Sequence, residues 1–527
     1  MSKVTKNRLF ELLSARHTNS PYSRLVDIPT PDNFKDIKKA SSRIKTAILN
    51  KETITIVGDY DVDGVVSTTI MVDFFKKINV KIDYIIPNRF EHGYGLSPKI
   101  VDMINDGLVI TVDNGISAVN AALKLKEKGI DLIITDHHTV GKEVPYAYAI
   151  VNPKQEDCNF EFKDICGAQV AWYLCASIKK ELNLDVKMTD FLDLLCVAII
   201  ADIMPMTALN YTLVKQGLKK IKTSPREAFK KLNEAMGKQA FVSDDIGFFI
   251  APKINSAGRM EDASIALEFL LSNTSCQANE SLQMLEELNN FRKTLQEEIT
   301  QKAYAKTNAK DNAVIVWGEG WHEGVIGIVA SKLSNSCKKP AFIFSLENGI
   351  AKGSARANAN INLHTIITKA SHLLFGFGGH KNAAGLSLKE ENLEEFKTII
   401  NQELEEHKHD LHIEPITLGE LDVASVDLQF IEIIDQFEPY GLENLKPIFM
   451  LSKVSLIKCT LIGKDKNHMK LTLSSDGVIF EALKFNESNI DLPNVFDLVV
   501  SVSKNEFRGE VTPQFLIQDI IIQHEDE

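Results

Sequence analysis

Between residues 51 and 150 the chain alternates β-branched, almost wholly apolar runs with segments of helical periodicity. The runs are TITIVGD, KIDYIIP, LVITVD and DLIITD, and between them lie VVSTTIMVDFFKKI and SAVNAALKLKEKG. Strands that are apolar on both faces belong to sheets covered by helices on both sides. A strand–helix–strand succession of this length implies a parallel sheet with right-handed crossovers. The fold class is therefore α/β, and ligands are expected at the C-terminal ends of the strands.

Those ends carry the chain's chemistry. GDYDVDG (58–64), TVDNG (111–115), TDHH (135–138) and IIADIMP (199–205) each close an apolar, strand-like run. They supply Asp59, Asp61, Asp63, Asp113, Asp136, His137, His138 and Asp202. So many carboxylates sharing one cleft are explained by divalent cations, which take hard oxygen and imidazole ligands. Each segment also has a plainer reading. An isolated D-x-D-x-D is usually a solvated acidic loop, and Asp113 is placed to cap a helix beginning near Ser117. A histidine pair is often surface decoration, and Asp202 could be a helix N-cap. Adjacent histidines point different ways, however, so one can ligate while the other faces substrate, with Asp136 fixing a tautomer. Asp202 lies in a run so apolar that its charge is costly unless paired or metal-bound.

At 527 residues the chain exceeds one ordinary core. Residues 165–270 read as mostly helical and complete the first unit. Residues 277–310 lack Gly and Pro and keep helical spacing, which predicts one long helix. A second α/β unit follows, opening on AVIVWGEG and GIVASKLS. Five short strands with polar turns close the chain and suggest an OB-type barrel. Seven cysteines, with no C-x-x-C pair, favour neither a disulfide framework nor zinc, and are expected to be buried thiols. The net charge of −12 argues superficially against nucleic acid. Locally, though, Lys332, Lys338, Lys339, Lys352, Arg356, Lys369 and Lys381 face only Glu347 between residues 324 and 385, a balance of +6. The N-terminus lacks a signal-peptide pattern, and the run Leu194 to Met206 is too short to span a bilayer; a cytoplasmic protein with no membrane partner is expected.

In order and placement the four segments resemble the motifs of the DHH phosphoesterase superfamily, and the resemblance extends to its bacterial single-strand-specific exonuclease branch. It includes PNRFEHGYG (87–95), GAQVAWYL (167–174), APKINSAGRM (251–260), GWHEGVIGIVASKL (320–333), KGSARA (352–357), GFGGHKNAAGLSL (376–388) and QFEPYGLENLKPIF (436–449). It implies a DHH catalytic domain over 51–275 after an N-terminal segment (1–50), and a connecting helix over 276–310. A DHH-associated substrate-binding domain over 311–408 and an OB-like nucleic-acid-binding domain over 409–527 would follow. It further implies two Mn²⁺ or Mg²⁺ ions per active site, with Asp113 bridging them, Asp61 on one, and Asp63, His137 and Asp202 on the other. Asp59 is either a ligand or a supporting carboxylate. His138 would contact the scissile phosphate or leaving group, Asp136 would orient the histidine pair, and His380 would face the cleft. Arg89, Arg259, Ser354 and Arg356 would hold substrate phosphate. Phe485, Phe507 and Arg508 are candidate stacking or phosphate-contact residues on the barrel's single-strand groove, although aromatic residues in a small barrel are more often core. The implied activity is 5′→3′ hydrolysis of single-stranded DNA by a monomer acting in repair and recombination, with a helicase and a single-strand-binding protein as partners. Compact relatives that hydrolyse oligoribonucleotides, cyclic dinucleotides or pyrophosphate need no such barrel. A non-catalytic scaffold would have lost the carboxylates retained here. One departure stands out: the family's Gly-x-Gly-Asn-Pro turn reads GLENL, with Glu443 and Leu445 in place of Gly and Pro.

Overall fold

The computed structural model describes residues 3–16, 22, 24–357, 360–379, 381–407, 415–464, 466–485, 487, 492–507 and 509–522, with the Phe507 side chain excepted. Strands β1 (Ile54–Val57), β2 (Asp83–Ile85), β3 (Leu108–Val112), β4 (Asp131–Thr135) and β5 (Ala149–Val151) form a parallel sheet in the order β2-β1-β3-β4-β5. β5 was not foreseen. The chain leaves β1 towards β2 on one side and returns to β3 on the other, so the crevice between β1 and β3 is the topological switch point. Alternate residues serve different cores. Ile54, Ile56, Ile110 and Val112 pack under the helices Ile37–Asn50, Val62–Lys77 and Gly167–Leu182, whereas Val57, Val109, Leu132 and Ile134 pack against Ile100, Val101 and Leu125.

The run closed by Asp202 is not the strand-like segment its motif suggested but part of the mostly helical stretch read over 165–270. It is the helix Leu192–Ala201, with Asp202 as its C-terminal cap. Every residue from Leu192 to Ile199 is buried, so the helix needs no polar face and shows no amphipathic period.

A single helix, Ser275–Tyr304, links this unit to the next, as its spacing predicts. Its buried stripe is interrupted by Asn289 and Arg292. The second sheet holds β6 (Val314–Glu319), β7 (Ala341–Glu347), β8 (Ile350–Arg356), β9 (Leu374–Gly379) and β10 (Ala383–Lys389), in the order β6-β7-β8-β10-β9. β6 and β7 are parallel, and the remaining pairs are antiparallel. The helix Glu323–Cys337 covers one face and Leu393–Glu406 the other.

Strands β11 (Phe449–Ile462), β12 (His468–Ser475), β13 (Val478–Lys484), β14 (Val495–Phe507) and β15 (Glu510–Ile521) close a barrel in the order β11-β12-β13-β15-β14. Leu9 and Leu13, from the helix Lys6–Ala15, pack into the same cluster as Leu421, Phe430 and Phe449, so the first helix of the chain is buried against its last unit. All seven cysteines are free. Four are buried, but Cys276 and Cys459 are exposed and Cys337 is partly so, a correction to the buried reading. Among the described residues, no helix is long and apolar enough to cross a membrane.

The GLENL turn docks on the segment after Asp202: Met206 N–H donates to the Leu442 carbonyl at 2.7 Å. Glu443 has φ +66°, the left-handed conformation that the family's glycine adopts freely. Buried Asn444 holds the turn shut, donating to the Pro439 carbonyl at 2.8 Å. Glu443→Gly is therefore expected to stabilise the protein by about 0.5–1 kcal/mol, read as a rise in the denaturant midpoint.

Candidate metal centre and phosphate site

The carboxylates reach one place because each is fixed by the backbone at the end of its element. Asp61 is the N-cap of the helix Val62–Lys77 and accepts from Gly64 N–H at 3.0 Å. Asp63, in that helix's first turn, accepts from Gly167 N–H (2.6 Å) and Ala168 N–H (2.8 Å). A carboxylate is thus set on the positive end of the helix Gly167–Leu182. Asp113 follows β3 with φ +63°, a conformation Asp tolerates better than most residues, and it caps no helix. Asn114 ties the strand ends together: its Nδ2 donates to the carbonyls of Val57, Gly58 and Val112, and its Oδ1 accepts from Leu96 N–H. It lies within TVDNG and was overlooked there.

Three overlapping groups have ligand atoms within 4.8 Å of one another: Asp59, Asp61 and Asp113; Asp63, His137 and Asp202; and Asp113, His137 and His138. His137 Nε2 lies 3.1 Å from Asp113 Oδ1, 3.6 Å from Asp202 Oδ2 and 3.7 Å from Asp63 Oδ2. Asp59 is only 2% exposed and stands beside Asp61 and Asp113.

Buried Asp59 Oδ1, Asp113 Oδ1 and Asp202 Oδ2 make no hydrogen bond. Burial, and then the neighbouring carboxylates, raise the pKa values of Asp59, Asp61 and Asp113, and push Asp202 to about 8. Burial also holds His137 down, at about 4, so its imidazole is neutral and free to ligate. Unpartnered buried oxygens that cannot all ionise together, beside a neutral imidazole, fit a pair of hard divalent cations.

Asp136 serves His138 in particular. Its Oδ1 accepts from the backbone N–H of His137 (2.7 Å) and of His138 (3.0 Å), and contacts His138 Nδ1 at 2.7 Å; its Oδ2 accepts from Ile116 N–H. Burial alone would lower the His138 pKa, but the Asp136 hydrogen bond and charge bring it to about 9. Nδ1 thereby carries a proton, and Nε2 is left for another partner. The Tyr94 hydroxyl, from PNRFEHGYG, reaches the Asp113 carbonyl (3.3 Å) and His138 Nδ1 (3.4 Å). Asp136→Asn is expected to cut kcat/KM by about 10–100-fold, the usual effect of losing such a partner, in a steady-state assay with saturating Mn²⁺.

Beside the acids lie guanidinium groups. Arg89 stacks on Tyr60, 4.2 Å from the ring centroid, with a buried, unpartnered Nε. Arg259 Nη1 donates to the Gly324 carbonyl at 3.1 Å. Burial, together with Arg89, Arg292 and Arg356, lowers its pKa to about 10. A Cβ added to Gly327, in the helix Glu323–Cys337, would meet Ser354 Oγ at 3.1 Å and Arg356 Nη2 at 3.2 Å, so β8 delivers both side chains to the start of that helix. Among the described residues, Arg89, Arg259, Arg292 and Arg356 form no ion pair, which leaves their charge available for an anion.

The lysine-rich run behaves differently. Lys332, Lys338, Lys352 and Lys369 pair with Glu297, Asp519, Glu323 and Glu403, so the +6 balance does not become a basic face. His380 and Arg508 lie outside the described residues, as does the side chain of Phe507. Phe485 is exposed on the barrel, 5.2 Å from the His468 ring.

Three family models match the chain: the DHH family, N-terminal domain, at residues 53–199; the DHHA1 domain at 310–406; and the RecJ OB domain at 419–519. The chain is 33% identical over 517 residues to the single-stranded-DNA-specific exonuclease RecJ of Bacillus subtilis, covering 95% of this chain and 65% of that protein, so it spans just under two thirds of that relative. It is 32% identical to the Haemophilus influenzae protein of the same name, covering 98% of this chain and 95% of that one. The structure is similar to the crystal structure of RecJ in complex with Mn²⁺ from Thermus thermophilus, with TM-score 0.83 and 27% identity over 98% of this chain and 76% of that one.

Proposed function

Because the chain belongs to the DHH phosphoesterase family, in the RecJ branch, we propose that it is a metal-dependent exonuclease that removes nucleotides from single-stranded DNA from the 5′ end. The observation that carries this reading is the meeting of two sets of opposite chemistry. The Asp61 carboxylate lies within electrostatic reach of Arg89 and Arg259, so a phosphodiester held by the guanidiniums has its phosphorus beside the carboxylate cluster.

Asp59, Asp61 and Asp113 would hold one cation, and Asp63, His137 and Asp202 the other, with Asp113 within reach of both. Bound Mn²⁺ or Mg²⁺ supplies Lewis acidity at the scissile phosphate. The chain's own residues do the rest. Arg89, Arg259, Ser354 and Arg356 grip phosphate oxygens, and the planar guanidinium forks orient them. His138, protonated at neutral pH and fixed through Nδ1 by Asp136, offers Nε2 as the acid towards the leaving oxygen. His380 joins this catalytic group from GFGGH. The barrel takes the strand beyond the cleft, with Phe485, Phe507 and Arg508 in the role of stacking or phosphate-contact residues.

The remaining assignments rest on the same premise. The catalytic, linking, DHH-associated and barrel units divide near residues 275, 310 and 408. The setting is cytoplasmic DNA repair and recombination by a monomer that works with a helicase and a single-strand-binding protein.

The test uses purified protein with Mn²⁺ and single-stranded DNA, duplex DNA and single-stranded RNA, each labelled at either end. Mononucleotide release from the 5′ label of single-stranded DNA is expected at once, with blunt duplex spared. Equal cleavage of duplex, or release from the 3′ label first, would overturn the assignment.

A further inference from the structure

Resting on the single-strand exonuclease reading, we propose that Phe248 and Ile203 form a platform on which a nucleobase of the substrate strand stacks. They line a cavity of about 400 Å³ whose lining also includes Asn255, Arg259 and Arg292. That volume falls in the range of small-ligand sites, about 300–1,000 Å³.

Both side chains are held out of the core by their backbones. Phe248 is 82% exposed, while Ile246 and Ile250 on either side of it are buried. It sits in a single wide helical turn, Ile246–Ile250, closed by Ala251 N–H to the Ile246 carbonyl. Pro252 follows. In an ordinary helix its ring would clash with the carbonyl of residue 248, and the wide turn accommodates it. Such turns cluster at functional sites. Ile203 directly follows Asp202, is 70% exposed and has φ +53°. A β-branched residue enters that conformation only under constraint, and constraint of this kind concentrates where function requires it.

The rest of the lining identifies the occupant. Arg259 also belongs to the phosphate-gripping group. Arg292 is 8% exposed and is held by the neutral side chains of Asn289 (3.1 Å) and Gln296 (2.8 Å). Among the described residues the only carboxylate on the lining is Asp244, and Lys446 neutralises it at 2.9 Å. Exposed apolar surfaces over unpaired guanidiniums match a ligand with a flat apolar body and an anionic backbone, the combination that single-stranded DNA offers. A paired base has its faces occupied by its own stack, so the platform would also favour unpaired strands.

The test uses the full chain with Mn²⁺ and a phosphorothioate-linked single strand that resists hydrolysis, carrying 2-aminopurine at successive positions. Phe248→Ala is expected to weaken binding about 5–160-fold, as loss of one stacked base predicts, and to abolish fluorescence quenching at one position. Phe248→Trp should restore both. Ile203→Gly relieves the backbone constraint, so it should weaken binding without lowering the thermal midpoint. Wild-type affinity in Phe248→Ala, or weaker binding with quenching retained at every position, would overturn the platform. A wild-type chain that binds the strand and shows the Phe248-dependent quench, yet releases no nucleotide from ordinary DNA, would overturn the exonuclease reading and leave the platform standing. A wild-type chain that binds no single strand would overturn both.

Discussion

Asp113→Ala is expected to lower kcat/KM on single-stranded DNA by about 10³-fold or more. The loss should be accompanied by a fall in Mn²⁺ stoichiometry, measured by titration calorimetry. The magnitude follows from the position of the carboxylate. Asp113 is within ligand distance of Asp59 and Asp61 on one side and of His137 on the other, and Lewis-acid stabilisation of several kcal/mol corresponds to three or more powers of ten. Alanine also replaces a residue that tolerates φ +63°, so Asp113→Asn is the companion variant: it keeps the backbone preference and removes the charge. Near-wild-type degradation by both would sink the metal model. The same crowding predicts the behaviour of metal-free protein. Burial and mutual repulsion raise the folded-state pKa values of Asp59, Asp61 and Asp113, and bring Asp202 to about 8. Unfolded aspartates titrate near ~3.9. Above that value the folded chain binds more protons than the unfolded chain, so stability falls as pH rises. Between pH 5 and 8 the metal-free melting temperature should decline, saturating Mn²⁺ should flatten the decline, and Asp113→Asn should reduce it.

Gly167→Ala is expected to cost about 10²-fold or more in activity while leaving the fold intact. Nothing in the backbone of Gly167 requires glycine. The requirement is space: an added Cβ would lie 2.4 Å from Asp113 Oδ1, 2.5 Å from its Cβ and 2.6 Å from its Cγ. The whole Asp113 side chain would have to leave its place, and a misplacement of about 1 Å can cost 10²-fold in rate. Gly167 N–H also fixes Asp63, at 2.6 Å, so a shift of the helix start would move a second carboxylate. Helix propensity meanwhile favours alanine by about 1 kcal/mol, which separates a site effect from unfolding. Paired measurements of melting temperature and Mn²⁺ affinity decide the matter, and wild-type metal affinity in Gly167→Ala would refute the steric argument.

The first sheet was legible because β1, β3 and β4 are buried on both faces and therefore consist of continuous, largely β-branched apolar runs. The segment before Asp202 carried two readings: a helix buried on every side shows no 3.6-residue period, so the run looks strand-like, but it lies in the stretch read as mostly helical, and the helix is what forms. Asp59 was the least certain ligand by spacing alone, and the structure sets it, buried, beside Asp61 and Asp113. The +6 run read as a basic face because its acidic partners, Glu297, Glu403 and Asp519, lie outside it in sequence. Arg292, unremarkable within a charged helix, joins the guanidinium group only through packing.

By itself the sequence determined the kind of chemistry: hard oxygen and imidazole donors at the ends of elements in an α/β sheet, an arginine-bearing second unit, and a closing β-barrel. These properties reside in residue type and local period, which act over a few neighbours along the chain. Only the tertiary structure decided that Asp136 serves His138, that Gly167 must leave room for Asp113, and that Arg89, Arg259, Arg292 and Arg356 share one field. Hydrogen bonds, steric exclusion and Coulomb forces act over a few ångströms. Asp136 and His138 are only two positions apart, and the fold selects between the adjacent histidines, whereas Gly167 and Asp113, and the four arginines, are joined across tens to hundreds of positions, a proximity that only the folded chain creates.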